Sequence, residues 1–218
     1  MPGRYEFLAL VHQQLQPRGY LEVGVQLGGS LSLAQCPAIG IDPNPLIQAS
    51  GKQQIFTMTS DEFFQRAHRF DGSPGPLDQF NLDLVYLDGS HLFEDTLRDF
   101  MNVESFAHRR TVVIFDDVLP YNASIGRRAQ PPGDWCGDVW KIPSILADYR
   151  PDLSTLLVDA WPVGAFVVWN LEPGNTYLSE RYGEILEEYI DDFPPYDDVI
   201  TRDYAVSVGD ALARLENR

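Results

Sequence analysis

Acidic residues stand directly after four short apolar runs, and these carboxylates are the side chains most capable of chemistry in the sequence. The positions, in chain order, are Glu22 with Gly24, Asp42, Asp88, and the pair Asp116 and Asp117. If the runs are parallel strands, their carboxyl ends meet at one edge of a sheet, which is where such sheets bind ligands. Packing alone does not explain four acidic strand ends, because a buried carboxylate without a partner is unfavourable. The pattern therefore predicts a polar site at that edge.

The first acidic strand end opens a glycine-rich loop, EVGVQLGGS, at the start of a predicted helix. Glu22, Gly24, Gly28 and Ser30 of this loop are predicted to bind a cofactor, because glycine lets the backbone approach a ligand closely. Asp42 follows Glu22 by 20 residues, a spacing at which a carboxylate accepts hydrogen bonds from both ribose hydroxyls. The combination favours a nucleotide site. The alternative is a glycine turn that only packs a helix on a strand.

The loop also discriminates between nucleotides. It lacks the G-x-G-x-x-G spacing of dinucleotide-binding loops, and the carboxylate of Glu22 would repel a pyrophosphate. A carboxylate instead suits a ligand that carries an ammonium or sulfonium charge. S-adenosylmethionine has both charges, an adenosine and no phosphate, so the loop favours this methyl donor over NAD.

A second group of candidates lies beyond the fourth and fifth predicted strands: Asp88, His91, Asp116 and Asp117. Carboxylates that converge raise one another's pKa unless a cation lies between them. Asp88, Asp116 and Asp117 are therefore predicted to bind a hard divalent ion such as Mg²⁺. A hydroxyl bound to that ion would lose its proton more readily. The alternative for Asp116 and Asp117 is a helix-capping turn after a strand.

His91 is predicted to be the catalytic base that takes the acceptor's proton beside Asp88, since histidine titrates near neutral pH. The alkoxide would then attack the methyl carbon in line with the sulfonium, and the protein's main contribution would be to align the two substrates. The alternative for His91 is a residue at a helix N-terminus, hydrogen-bonded to solvent or backbone. His12, His68 and His108 have no carboxylate at comparable spacing and are expected at the surface.

The connection 118–136 is rich in Gly, Pro and Arg and long for a structureless loop, so a functional role is expected. Arg127 and Arg128 suit an acceptor carboxylate or phosphate, and Trp135 suits a sugar or aromatic ring. A solvated turn is the alternative for the two arginines.

Alternating apolar runs and amphipathic segments predict an α/β domain, with a mostly parallel sheet, helices on both faces and a closing hairpin. The predicted strands are Tyr20–Val25, Ala38–Asp42, Gln54–Met58, Leu82–Asp88, Thr111–Asp117, Leu153–Asp159 and Val163–Asn170. The predicted helices are Ser60–Phe70, His91–Ala107, Gly137–Tyr149, Tyr182–Ile190 and Val208–Leu215. Asp99 is expected on the outer face of the second helix, and Asp138 is expected to cap the third.

Five segments, in order, resemble the class I S-adenosylmethionine-dependent methyltransferases: EVGVQLGGS, IGID, LDGSHLFED, FDDVLP and GDVWK. Within that family the chain is most similar to the branch that contains metal-dependent sugar O-methyltransferases of macrolide biosynthesis. The resemblance covers residues 18–170. It implies a three-layer α/β/α sandwich with a Rossmann-like, mostly parallel seven-stranded sheet whose last strand is antiparallel.

The resemblance also implies roles for single residues. Glu22, Gly24 and Ser30 would line the methionine end of the donor, Asp42 would hold its ribose, and Asp88 would close the site.

The adenine end of the donor would lie near Ser60 and Asp61 by the same resemblance. Both residues also suit a helix N-terminus, which is the alternative interpretation.

With 218 residues, the chain is expected to form one methyltransferase domain over residues 1–170 and an acidic helical extension over residues 171–218. The extension carries half of the net charge of −16 and is expected to pack on the same domain as a lid or an oligomer contact. The alternative is a solvated acidic tail.

The charge argues against a nucleic-acid partner, and no apolar run is long enough to span a membrane. Two cysteines and the absence of a recognisable signal peptide favour a cytoplasmic protein. The expected partner is a small-molecule acceptor, and a homo-oligomer is left open.

Three functions remain after this reasoning. The first is a metal-assisted O-methyltransferase acting on a sugar or natural-product hydroxyl. The second is a methyltransferase without a metal. The third is a non-catalytic nucleotide-binding or interaction protein.

Overall fold

A computed structural model describes residues 2–67 and 75–218. Its central sheet contains seven strands in the order β3-β2-β1-β4-β5-β7-β6. The strands are β1 (Tyr20–Val23), β2 (Ala38–Asp42), β3 (Gln53–Thr57), β4 (Leu84–Leu87), β5 (Val112–Asp116), β6 (Ser154–Val158) and β7 (Ala165–Trp169). Strands β1 to β5 pair in parallel, whereas β7 is antiparallel to both β5 and β6. The predicted sheet, including its antiparallel last strand, is confirmed.

Helices cover both faces of this sheet. They are α1 (Arg4–Leu15), α2 (Ser60–Ala67), α3 (Phe93–Phe106), α4 (Ile142–Tyr149), α5 (Tyr177–Tyr189), α6 (Asp197–Thr201) and α7 (Val208–Glu216). One hydrophobic core joins the sheet to α2, α3, α4 and α5, and a second joins it to α1 and α7. The two cores make the molecule the three-layer sandwich that the resemblance implied. No helix in residues 2–67 and 75–218 has the length and hydropathy to cross a bilayer.

The central strands are apolar on both faces because both faces are covered. Every residue of β1, β4 and β5 is buried, as expected for parallel strands between helical layers. This burial includes polar side chains near the strand ends, and it fixes their directions. The carboxyl ends of β1, β2, β4 and β5 therefore place acidic groups along one edge, as predicted.

Local contacts shift several helix boundaries. Helix α2 begins with a capping box in which Thr59 and Glu62 exchange hydrogen bonds, so Thr59 is its cap. The predicted end of this helix, residues 68–70, lies outside the described residues. The loop after β1 continues only into a 3₁₀ turn, Leu31–Leu33, and the α-helix predicted there is wrong.

The prediction that Asp138 caps a helix is also wrong. A 3₁₀ turn, Val139–Lys141, precedes α4, and Asp138 makes no capping hydrogen bond. Its buried carboxylate instead accepts hydrogen bonds from the backbone N–H of Phe93 and from the side chains of Arg128 and Lys141. Asp138 thereby ties the long connection to the start of α3.

The segment 171–218 contributes three helices, α5 to α7. Helix α5 packs against α3 and α4, and α7 packs against α1 and β6. Leu178 and Ile185 of α5 are buried in one core, and Leu215 of α7 is buried in the other. The apolar faces of α5 and α7 therefore belong to the same cores as the sheet.

Candidate active site

The chain turn after β1 brings two strand ends into close contact. Gly24 has φ +89°, and its N–H donates a hydrogen bond to the carbonyl of Ile41 at 2.9 Å. A Cβ at this position would lie 1.7 Å from the carbonyl oxygen of Asp88. Only glycine fits, both for its backbone angle and for this approach.

Asp42 organises the same loop. Its Oδ2 accepts hydrogen bonds from the N–H groups of Val25 (2.9 Å) and Gln26 (2.7 Å), and its Oδ1 accepts one from Asn44 (2.7 Å). A carboxylate has about four acceptor directions, so these three leave room for a ligand hydroxyl. Asp42 also lines two cavities at this edge of the sheet.

Two cavities lie over the carboxyl ends of β1, β2 and β4 and meet at Gly24, Asp42 and Gly89. The first, of about 320 Å³, is lined on its outer side by Thr59, Ser60, Asp61, Asp95, Arg98 and Asp99. The second, of about 300 Å³, is lined by Arg4, Gln26, Asn44, Asp88 and His91. Together they form one continuous depression across the sheet edge.

The first cavity contains Ser60 and Asp61, where the sequence predicted the adenine end of the donor. It also contains Asp99, which the helix pattern placed outside. Asp99 is only 4% exposed, and burial raises its pKa to about 7 although Ser60 hydrogen-bonds to it. The expectation that Asp99 faces solvent is wrong because α2 and its loop cover that side of α3.

Glu22, Gly28 and Ser30 do not line either cavity. The carboxyl group of Glu22 is fully buried and hydrogen-bonds with the hydroxyls of Tyr20 and Ser30. Burial raises the pKa of Glu22 to about 8, so it is mainly protonated at neutral pH. A Cβ at Gly28 would meet Ile47. Glu22, Gly28 and Ser30 therefore stabilise the loop through buried contacts and do not face the cavities.

Asp88, His91 and Asp117 form a compact cluster at the rim of the second cavity. The Nε2 atom of His91 lies 3.2 Å from Asp88 Oδ1 and 3.1 Å from Asp117 Oδ2. One possible ligand atom from each residue lies within 4.8 Å of the others. His91 and Asp117 both have left-handed backbone angles, φ +60° and +62°. Strain of this kind at non-glycine residues is concentrated at functional sites.

The tautomer of His91 follows from its other ring nitrogen. Nδ1 lies 2.9 Å from the carbonyl oxygen of Trp135, which can only accept, so Nδ1 carries a proton. Nε2 then faces two carboxylates and needs a cation, either a proton or a metal ion. Burial lowers the pKa of His91, but the hydrogen bond to Asp88 and the charge of Asp117 outweigh it and raise the pKa to about 9.

Asp116 is not part of this cluster, although the sequence grouped it with Asp88 and Asp117 as a metal ligand. Adjacent residues of a strand point to opposite faces, and Asp116 is the last residue of β5. Its Oδ2 accepts hydrogen bonds from Arg4 (2.8 Å) and from the hydroxyl of Tyr86 (2.7 Å). His91 takes the place in the cluster that Asp116 was predicted to fill.

Comparison with known proteins agrees with this geometry. Residues 21–118 match the family described as a methyltransferase domain. No curated protein sequence matches the chain. Residues 21–118, slightly less than half of the chain, therefore form a domain similar to this methyltransferase family.

Solved structures with this methyltransferase fold are similar over most of their length but distant in sequence. The SAH-bound methyltransferase PaMTH1 of Podospora anserina has a TM-score of 0.54 at 12% identity, over 79% of this chain and 80% of that one. An O-methyltransferase of Bacillus cereus in complex with SAH has a TM-score of 0.53 at 15% identity, over 78% of this chain and 80% of that one. The third structure is TomG of Streptomyces achromogenes, an O-methyltransferase involved in tomaymycin synthesis, in complex with SAM. It has a TM-score of 0.52 at 15% identity, over 78% of this chain and 80% of that one.

The long connection 118–136 of the methyltransferase touches the site through Trp135. Its ring lies 5.2 Å from that of His91, and its Nε1 donates to the carbonyl of Arg127. Arg127 pairs with Asp192, and Arg128 pairs with Glu94 and Asp138. Because both arginines already pair with acidic residues, their role in this structure is to fix the long connection to α3 and to the segment after α5.

The two other histidines that the structure describes make contacts away from the cluster. His12 is 6% exposed, packs edge-on against Tyr20 and has a pKa lowered by burial to about 4, so the expectation of a surface residue is wrong. His108 is partly exposed and pairs with Asp83 at 2.8 Å. His68 lies outside the described residues.

Proposed function

We propose that this methyltransferase transfers a methyl group from S-adenosylmethionine to a hydroxyl of a small sugar or natural product, assisted by a divalent cation. The observation that carries the proposal is the cluster of Asp88, His91 and Asp117 at the rim of a two-part cavity. The cluster supplies the cation site, and the cavity supplies the donor site.

The donor fits the two cavities end to end. Adenosine would occupy the first cavity, beside Ser60 and Asp61, with its ribose at Asp42 where the cavities meet. The methionine part would continue past Gly24 into the second cavity. PaMTH1 and TomG, which share this fold, were solved with SAH and with SAM, which supports S-adenosylmethionine as the donor.

The side chains of the cluster fit a hard divalent cation. The two carboxylates are the ligands that Mg²⁺ and Mn²⁺ prefer, and the imidazole adds a nitrogen ligand that suits a transition metal better than Mg²⁺. Asp117 Oδ2 is buried, and its nearby partner is Nε2 of His91 at 3.1 Å, so it needs a cation there, either a proton on His91 or a metal ion. The Trp135 carbonyl orients His91 from behind, as is usual for metal-bound histidine.

The bound ion would supply Lewis acidity toward the acceptor hydroxyl. Asp88 lines the second cavity and is the carboxylate positioned to receive the hydroxyl's proton. His91 is better suited to hold charge than to act as a base, since a pKa raised to about 9 keeps it protonated whenever the ion is absent. Trp135 would bound the acceptor space with a flat ring beside His91.

Transfer without a metal is the second candidate, and the same cluster favours it in one respect. A proton on His91 would satisfy both Asp88 and Asp117 at 3.1–3.2 Å. The two versions share the donor site and differ only in the cation beside the acceptor.

The test is formation of SAH from S-adenosylmethionine with a panel of sugar, polyketide and phenolic acceptors. We expect turnover with at least one hydroxyl acceptor, its loss in EDTA and its recovery with added Mg²⁺ or Mn²⁺. Turnover that is unchanged in EDTA supports the metal-free version. Donor binding without turnover of any acceptor points instead to a non-catalytic protein.

A further inference from the structure

Arg4 reaches the second cavity from outside the matched methyltransferase domain. It is the first residue of α1, and its N–H donates to the carbonyl of Trp161 at 2.8 Å, which anchors the start of the helix on the β6–β7 connection. Its Nη1 donates to Asp116 Oδ2 at 2.8 Å, and the guanidinium lies 5.1 Å from the ring centre of Tyr5. These contacts hold the side chain toward the sheet edge.

The two carboxylates that line this cavity suit the positive charges of a methionine group but not its negative charge. Asp42 and Asp88 favour an ammonium or sulfonium, but they would repel an α-carboxylate. His91 has both ring nitrogens engaged, one by Trp135 and the other between carboxylates. Arg4 is the other cation that lines the cavity.

Arg4 has the capacity to bind a carboxylate. A guanidinium presents five N–H donors in a planar fork that matches carboxylate geometry. The side chain is 31% exposed, so it is accessible from the cavity while Asp116 anchors one nitrogen. An anchored guanidinium loses little freedom when it binds, which favours affinity.

We infer that Arg4 binds the α-carboxylate of the methyl donor and so fixes the methionine end opposite the adenosine. This assignment rests on the proposed function, since it requires the donor to lie across both cavities. Helix α1 would then be part of the donor site.

The test compares SAH with its decarboxylated analogue, which keeps the adenosine, thioether and amine. We expect wild-type protein to prefer SAH by about 10- to 100-fold, the range of one charge-assisted pair. Arg4→Gln should weaken SAH binding by a similar factor and leave the analogue nearly unchanged, so that the preference disappears. Arg18→Gln removes an arginine that pairs with Asp83 far from the site and should keep the preference.

Arg4→Gln also leaves Asp116 without its cation, so the double variant Arg4→Gln/Asp116→Asn removes the pair as a whole. It should show the same loss of preference. Equal weakening of both ligands, or an undiminished preference for SAH in the variants, overturns the assignment of Arg4 alone. If wild-type protein binds neither ligand, the proposed function fails and the assignment fails with it.

Discussion

At the scale of single residues, the site depends on how buried carboxylates are neutralised. Asp116 has Arg4, whereas Asp88 and Asp117 share His91. Burial and the neighbouring carboxylates raise the pKa of Asp117 well above its ordinary value. The cluster around His91 is therefore the proposed cation site, whereas Asp116 already pairs with the guanidinium of Arg4.

The first prediction separates the two aspartates. Asp117→Asn removes a charged ligand but tolerates the left-handed backbone, so it should weaken Mn²⁺ binding at least about 10-fold without unfolding the chain. Asp116→Asn should change Mn²⁺ affinity much less. Calorimetric titration of both variants measures this. Equal losses would restore Asp116 to the metal site, as the sequence alone had predicted.

The second prediction concerns Glu22, whose pKa is raised to about 8 by burial. An unfolded glutamate titrates near 4.3, so between these values the folded chain holds a proton that the unfolded chain has lost. The free energy of unfolding of the ligand-free protein should therefore fall as pH rises from about 4.5 to 8. Glu22→Gln should flatten this slope in urea unfolding.

Glu216→Gln serves as the control for Glu22, because Glu216 is exposed near the end of α7. Its stability curve should run parallel to that of the wild type. A Glu22→Gln curve that also runs parallel to the wild type contradicts a protonated Glu22 in the folded state.

At the scale of elements, the turn after β1 is the segment at which the two cavities meet. Gly24 combines a positive φ with a contact that no side chain could occupy, against the Asp88 carbonyl. The same contact fixes the position of Asp88 relative to the loop. A change at Gly24 should therefore disturb the proposed donor site and the proposed cation site together.

The third prediction compares two glycines with similar backbone angles. Gly133 has φ +99° and nothing within 4 Å of an added Cβ, whereas Gly24 has φ +89° and a collision. Gly133→Ala should cost only the backbone strain, about 1–2 kcal/mol. Gly24→Ala should lower stability further and abolish SAH binding, as followed by thermal unfolding with and without SAH. Retained SAH binding in Gly24→Ala would contradict the assigned path of the donor.

Local sequence rules predicted the strands and their acidic ends because each depends on a few neighbouring residues. Asp42 ends β2 and Asp88 directly follows β4, so both lie at the carboxyl edge of the sheet, as predicted. Other residues depend on distant contacts. Arg4 meets Asp116 across 112 positions of sequence, and the inward position of Asp99 requires α2 to cover it. Alternation along β5 was the one available signal that Asp116 and Asp117 diverge.

At the scale of the whole molecule, the acidic segment 171–218 is built into the cores that hold the sheet. Lys141 is almost fully buried and donates hydrogen bonds to Asp138, to the carbonyl of Tyr189 at the end of α5 and to the carbonyl of Asp191 just after it. Helix α7 places Leu215 against the core that contains α1. Since α1 carries Arg4, helix α7 supports the side of the site opposite the cavity proposed for adenosine.

The fourth prediction tests this support with two leucines of one helix. Leu215 is fully buried, whereas Leu212 is only partly buried. Leu215→Ala should lower the free energy of unfolding by about 2–5 kcal/mol, and Leu212→Ala by clearly less. Urea unfolding followed by far-UV circular dichroism measures both. Small and equal effects would mean that α7 is a peripheral tail.

The most direct test of the account is calorimetric titration of SAH into the ligand-free protein, because every assigned role depends on a donor lying across Gly24 and Asp42. We expect saturable binding of one SAH molecule per chain, with NADH giving no comparable signal. Absence of SAH binding by the folded protein, or preferential binding of NADH, would contradict it.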